Sequence, residues 1–168
     1  TTVGGSSINL TSVNDNKGSL VNTHVGVSGD IITSFKVYAA AYGTTRTFDV
    51  AAYTVVAGAF VSRLAAAVTL TLPYNVVAWY ETAAVSQALV AGSTYGVACG
   101  HWTDIYLYYN SGTNQVDSGE GGALAATWVH DDYRVHMFSW YAIYTPAGGT
   151  TYDETGKVQV ATALAGHS

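Results

Sequence analysis

Charge is what this chain most lacks. Lys, Arg, Asp and Glu together make up 10% of its 168 residues, against roughly 25% in an average soluble domain. A cytosolic protein usually stays in solution through dense mixed charge. Here Thr, Ser, Gly, Ala, Val and Tyr fill the space instead. A surface of hydroxyls and tyrosines suits a protein outside the cell, packed in an assembly or exposed to harsh conditions. Only 6 residues are Lys or Arg, which argues against a nucleic-acid partner. The net charge of −5 is spread along the chain and forms no acidic tail.

Cysteine is nearly absent too. Cys99 stands alone, so no disulfide within the chain is available. It lies in an alternating apolar run and reads as a small buried hydrophobe, with an intermolecular bridge as the alternative. No apolar run reaches the roughly 18–20 residues of a membrane-spanning helix. The longest, residues 51–72, is broken by Thr54, Ser62, Arg63, Thr69 and Thr71. Amphipathic helices and internal repeats are also missing. Thr1 in place of an initiator methionine fits either a removed export signal or a fragment of a longer chain. The sequon Asn9-Leu10-Thr11 is a glycosylation acceptor if the protein is exported by a host with that machinery.

What is present is alternation. Ile31, Thr33, Phe35, Val37 and Ala39 alternate with Ile32, Ser34, Lys36 and Tyr38, and Phe48, Val50 and Ala52 share one side of the next run. Ala57-Gly58 marks a turn, followed by a strand over Phe60, Val61, Ser62, Arg63 and Leu64. Residues 65–72 read as strand from their Val-Thr-Leu-Thr-Leu ending. Ala91-Gly92-Ser93 flanked by two apolar runs predicts a hairpin, with Tyr95, Val97 and Cys99 on one face. Near the end His136, Phe138, Trp140, Ala142 and Tyr144 alternate with Met137, Ser139, Tyr141 and Ile143. Short strands at roughly 8–12-residue spacing predict an all-β antiparallel sandwich. Residues 1–30 read as an N-terminal extension with edge strands around the turn-rich Asn14-Asp15-Asn16-Lys17-Gly18. Residues 31–146 form the body, and 147–168 a linker and C-terminal strand. The predicted core contains Phe35, Val37, Phe48, Val50, Tyr95, Val97, Phe138 and Trp140.

The runs "DIITSFKVYAA", "RTFDVAAYTVVAGAFVSRLAAAVTL", "ALVAGSTYGVACG", "IYLYYNSG" and "MFSWYAIYTP" occur in an order that resembles the jelly-roll-like β-sandwich modules of phage tail and fibre proteins and of secreted bacterial multidomain proteins. The segment "TYDETGKVQVATALAG" is similar to the linkers between such modules. The resemblance implies an accessory, adhesive or structural module, and it supplies no catalytic residues.

The residues that could carry chemistry cluster between His101 and Arg134. Trp102, Tyr106, Tyr108, Trp128 and Tyr133 are candidates to bind a ligand or sugar, because exposed rings stack on sugar faces. Asp117, Glu120, Asp131 and Asp132 could supply oxygen ligands to a structural calcium, although their spacing is not that of a known calcium loop. Zinc through His130 and His136 is weaker, since the two would stand about 20 Å apart along a strand. The chain has no Gly-x-Ser-x-Gly, His-Glu-x-x-His or phosphate-loop motif, so no catalytic residue is assigned and no cofactor beyond calcium is expected. Lys157, Val158, Val160, Thr162 and Leu164 form a candidate assembly strand, whose unpaired amides would seek a sheet edge. The expected function is a non-enzymatic structural or adhesive module of an extracellular filament or virion surface, with copies of itself as partners. A carbohydrate-binding module directed at cell-surface glycans is the alternative.

Overall fold

The computed structural model of the chain describes residues 6–10, 15–20, 23–100, 104–120, 123–146 and 152–153. It is all-β, and two antiparallel sheets pack together as a β-sandwich. The described strands are β1 (Ser6–Leu10), β2 (Asp15–Ser19), β3 (His24–Val25), β4 (Ile31–Ala41), β5 (Arg46–Val56), β6 (Ala59–Arg63), β7 (Val68–Leu72), β8 (Ala78–Glu81), β9 (Gln87–Ala88), β10 (Thr94–Gly100), β11 (Ile105–Glu120), β12 (His130–Phe138), β13 (Trp140–Thr145) and β14 (Tyr152–Asp153).

The first sheet is centred on β4. One side of β4 carries β8 and β9; the other carries β13 and the start of β11, with β1 beyond β11. The second sheet is centred on β5 and β10. Here β6 and β7 flank β5, while β3 and β2 flank β10, and β2 leads on to the second half of β11 and to β12. β11 therefore belongs to both sheets. Its pairing with β12 slips in register between Ser111 and Val116. Such an irregularity lets a strand bend and turn the corner of a sandwich.

The core between the sheets follows from period-two alternation. β4 contributes Phe35, Val37, Ala39 and Ala41, β5 contributes Phe48, Val50 and Ala52, and β10 contributes Tyr95, Val97 and Cys99. Trp140 of β13 is buried among them, and its indole Nε1 donates to the Val97 carbonyl across the sandwich at 3.1 Å. Of the predicted core, Phe35, Val37, Phe48, Val50, Tyr95, Val97 and Trp140 are all buried. The side chain of Phe138 lies outside the described residues. At the β5–β6 turn Ala57 and Gly58 both have positive φ, 51° and 79°. That is the two-residue geometry whose twist matches a hairpin.

Four expectations change. The turn at Ala91-Gly92 is present, but the flanking strands do not pair with each other. β9 joins β4 in the first sheet and β10 joins β5 in the second, so the turn arches between sheets. Residues 15–18, read as part of a turn from their polar composition, form β2 together with Ser19. Neighbours on both sides supply its hydrogen bonds, so it is no edge strand. Ile32, rather than Ile31, is buried, because Thr33 is an extra residue where Ser34 pairs with Ile143 and Ile32 with Tyr144; one bulged residue reverses the faces beyond it. Finally, the strand expected over residues 105–112 runs on to Glu120 and pairs with β12 from His130, where a loop carrying the acids was expected.

Candidate functional site

The outer face of the first sheet carries a strip of aromatic rings. Antiparallel partners share a face, and the register sets Tyr38 opposite Trp79, Lys36 opposite both Glu81 and Tyr141, and Ala40 opposite Tyr106. The rings touch in sequence. Tyr141 and Trp79 have centroids 5.4 Å apart, Trp79 and Tyr38 5.4 Å, and Tyr38 and Tyr108 5.2 Å. Tyr42 and Tyr106 form a perpendicular pair at 5.6 Å. Inclined contacts of this kind match the ring quadrupole. Each ring of the strip is only partly buried, and Tyr42 is 49% exposed. The Tyr108 phenol is held above its usual range, first by burial and then by the neighbouring phenols of Tyr38 and Tyr106.

A polar groove adjoins the strip. Lys36 Nζ lies 3.3 Å from Glu81 Oε2, and Ser34 Oγ donates to Glu81 Oε1 at 2.6 Å. The groove measures about 320 Å³ and is lined by Thr33, Ser34, Lys36, Glu81, Thr82 and neighbours. That is the low end of the range for ligand sites. Its wall is fixed by the backbone of Phe35, whose N–H donates to Thr82 Oγ1 at 3.0 Å.

The outer face of the second sheet is closed. Tyr53, Phe60, Leu124 and Trp128 form a second buried cluster with Ala51 and Ala98. Residues 123–129 run over this face and along β6. Arg63 N–H donates to the Ala126 carbonyl at 2.8 Å and Trp128 N–H to that of Val61 at 2.7 Å. The Arg63 guanidinium holds the Leu124 carbonyl, and Tyr53 Oη donates to Ala125 O at 2.6 Å. Burial pushes the Tyr53 phenol up to about 12, with Arg63 opposing. Glycines make room for the rings. A Cβ at Gly96 or Gly18 would meet Phe60 at 2.8 or 2.6 Å, and one at Gly119 would meet Trp128 at 2.7 Å. The remaining cavity beside Trp128 is about 80 Å³, too small for a sugar-sized ligand.

Tyr106 and Tyr108 thus stand on the open aromatic face, as their alternation with buried Ile105 and Leu107 implies. Trp128 is a correction. It was expected to be exposed, but its ring is buried against Tyr53 and Phe60 over Gly119. Tyr133 is exposed on β12, where its ring lies 4.5 Å from that of His130, remote in the fold from the first sheet's strip. Trp102 lies outside the described residues. Tyr38, Tyr42, Trp79 and Tyr141 were not singled out from sequence. The signal was available for Tyr38 and Tyr141, which sit on the parity opposite to Phe35 and Val37 and to Trp140 and Ala142.

Of the four acids expected to bind calcium, three have described side chains, and these three form no metal-binding group. Asp117 is fully buried and both its oxygens are engaged, Oδ2 by the Phe60 N–H at 2.7 Å and Oδ1 by His130 Nδ1 at 2.6 Å. Asp131 and Asp132 are exposed on β12. The side chain of Glu120, like that of His136, lies outside the described residues. No group of three or more His, Cys, Asp or Glu suited to a metal occurs among the described residues. A second His–Asp pair joins His24 Nε2 to the buried Asp30 Oδ2 at 3.0 Å, and that oxygen also accepts the Val27 N–H at 2.9 Å. Both pairs fasten strands or turns. The candidate assembly residues Lys157, Val158, Val160, Thr162 and Leu164 lie outside the described residues. No helix among the described residues is long and apolar enough to cross a membrane.

No protein-family model, no curated protein and no solved structure matches this chain. The sandwich and its open face therefore carry the functional reading, and the likeness to phage and secreted modules contributes only a proposal.

Proposed function

We propose that this chain is a non-enzymatic structural and adhesive module, working through its surface as part of an extracellular filament or a virion. The observation that carries this reading is the partly exposed aromatic outer face of the first sheet, which no described segment crosses, beside a second sheet whose rings are covered by residues 123–129. Contiguous apolar surface left open on a soluble fold marks an interaction site. The scarcity of charge supports the same setting, because it suits a surface meant for contact. Assembly with copies of the chain has a route in the sheet edges. Among the described residues β7 and β8 each pair with one strand only, and an unpaired edge accepts a strand from another chain. Residues 157–164 have the alternation to be that strand. Added to the next subunit, they would give a head-to-tail contact that propagates rather than closes.

The test is assembly of the full chain, followed by light scattering and electron microscopy. Polymers that shorten when residues 150–168 are deleted are the expected result. If the deletion assembles as well as the full chain, the tail is only a linker. If the full chain stays monomeric and adheres to nothing, the reading fails.

A further inference from the structure

We infer that the aromatic strip and its polar groove form a binding site for an uncharged carbohydrate chain, with Trp79, Tyr38 and Tyr141 as stacking surfaces and Lys36 and Glu81 as the hydroxyl-binding pair. This deepens the adhesive reading and rests on it.

The chemistry of the face selects the ligand. A pyranose has an apolar C–H face and a rim of hydroxyls that donate and accept. The first needs an aromatic ring; the second needs paired donors and acceptors close beside it. The register supplies both in adjacent rows. One row across the sheet is Tyr141, Lys36 and Glu81, and the next is Tyr38 and Trp79. Lys36 Nζ offers donors, and Glu81 Oε1 and Oε2 offer acceptors already oriented by Ser34 and Lys36. Charge-assisted hydrogen bonds to such groups are the stronger kind.

A second copy of the chain fits this face less well. Protein interface cores are depleted of charged residues, and a dry contact here would have to desolvate the Lys36–Glu81 pair, whose side chains keep 27% and 45% exposure. A sugar leaves them hydrogen-bonded. Polyanionic glycans are disfavoured as well. Lys36 and Glu81 cancel each other, and the chain carries a net charge of −5. The groove of about 320 Å³ takes one or two sugar units, while the strip extends the contact along the chain. Among the described residues of the second sheet's outer face, the rings are covered and the cavity beside Trp128 is about 80 Å³.

The experiment is titration of the purified full chain with neutral oligosaccharides (cellohexaose, maltohexaose and N-acetylchitohexaose) and with a hyaluronan oligosaccharide as the charged comparator. Calorimetry and tryptophan fluorescence are the readouts. Saturable binding of at least one neutral oligosaccharide is expected, weakened about tenfold or more, or roughly 1.4 kcal/mol, by Trp79→Ala, Tyr38→Ala or Glu81→Gln. Trp79→Phe should keep most of the affinity, since a ring remains, and Tyr133→Ala should leave it unchanged. Circular dichroism confirms that each variant is folded. Three results would overturn the assignment: no saturable binding of any neutral oligosaccharide, tighter binding of hyaluronan, or binding indifferent to Trp79 and Tyr38. If oligosaccharides fail while the chain still polymerises or adheres to another surface, this ligand is wrong and the structural reading stands. If binding, polymerisation and adhesion are all absent, both fall.

Discussion

On the second sheet, the rings of Tyr53, Phe60 and Trp128 lie over glycines and are covered by residues 123–129. On the first sheet, the rings of Tyr38, Trp79, Tyr108 and Tyr141 lean on one another, and no described segment folds across them. The two faces hold similar residues and put them to opposite use. What differs is the layer beneath. Gly18, Gly96 and Gly119 remove the Cβ atoms that would hold a ring away, so rings can pack down and be roofed over. The first face instead sets its rings among Lys36, Glu81 and Ser34, which need water or a polar ligand. Aromatic content alone therefore does not identify a binding face. The residues under and beside the rings decide it.

The comparison breaks most visibly at Trp128. Trp128→Ala should cost about 3–5 kcal/mol, as for other large core aromatics, measured by denaturant unfolding. A cost below about 1 kcal/mol would mean that residues 123–129 cover the sheet without stabilising it.

Alkaline titration sharpens the same contrast. The folded Tyr53 phenol is raised from 10.0 to about 12, so the native state holds this proton more tightly than the unfolded chain. Its contribution is fully present below pH 10 and is lost as pH rises through about 12. Stability of the wild-type chain should fall more steeply over this window than that of Tyr53→Phe. Parallel curves would show that the roof does not keep Tyr53 dry.

Gly96→Ala probes the floor of the sealed face. Its new methyl would meet Phe60 at 2.8 Å and the Ser19 carbonyl at 2.9 Å, and overpacking of that kind costs about 1–3 kcal/mol. Thermal unfolding measures it, and an unchanged Tm would show that Phe60 moves aside freely.

The smallest effect on stability belongs to the open face. Trp79→Ala should change the unfolding free energy by less than about 1.5 kcal/mol, the scale of one aromatic pair, while removing adhesion. A loss as large as that of Trp128→Ala would mean that the strip is structural and that the two faces do not differ in role.

The sequence by itself determined the all-β class, most of the strands and seven members of the core. Those rest on alternation of apolar residues, and burial of one parity is a local consequence of the strand geometry. It also set Tyr106 and Tyr108 opposite Ile105 and Leu107. Tertiary structure decided the rest. Composition marks residues 14–18 as a turn, yet pairing with β10 and β11 makes residues 15–19 a strand. The apolar runs around Gly92 look like one hairpin, and only the packed sandwich sends them to different sheets. Trp128 reads as a loop aromatic until Gly119, 9 residues earlier on β11, is found beneath it. The open strip needs Tyr38, Trp79, Tyr108 and Tyr141 from four strands, and nothing local in any one of them states that the others are near. Periodicity reports which way a side chain points. Which strand becomes its neighbour is settled by long-range pairing and by what covers each face.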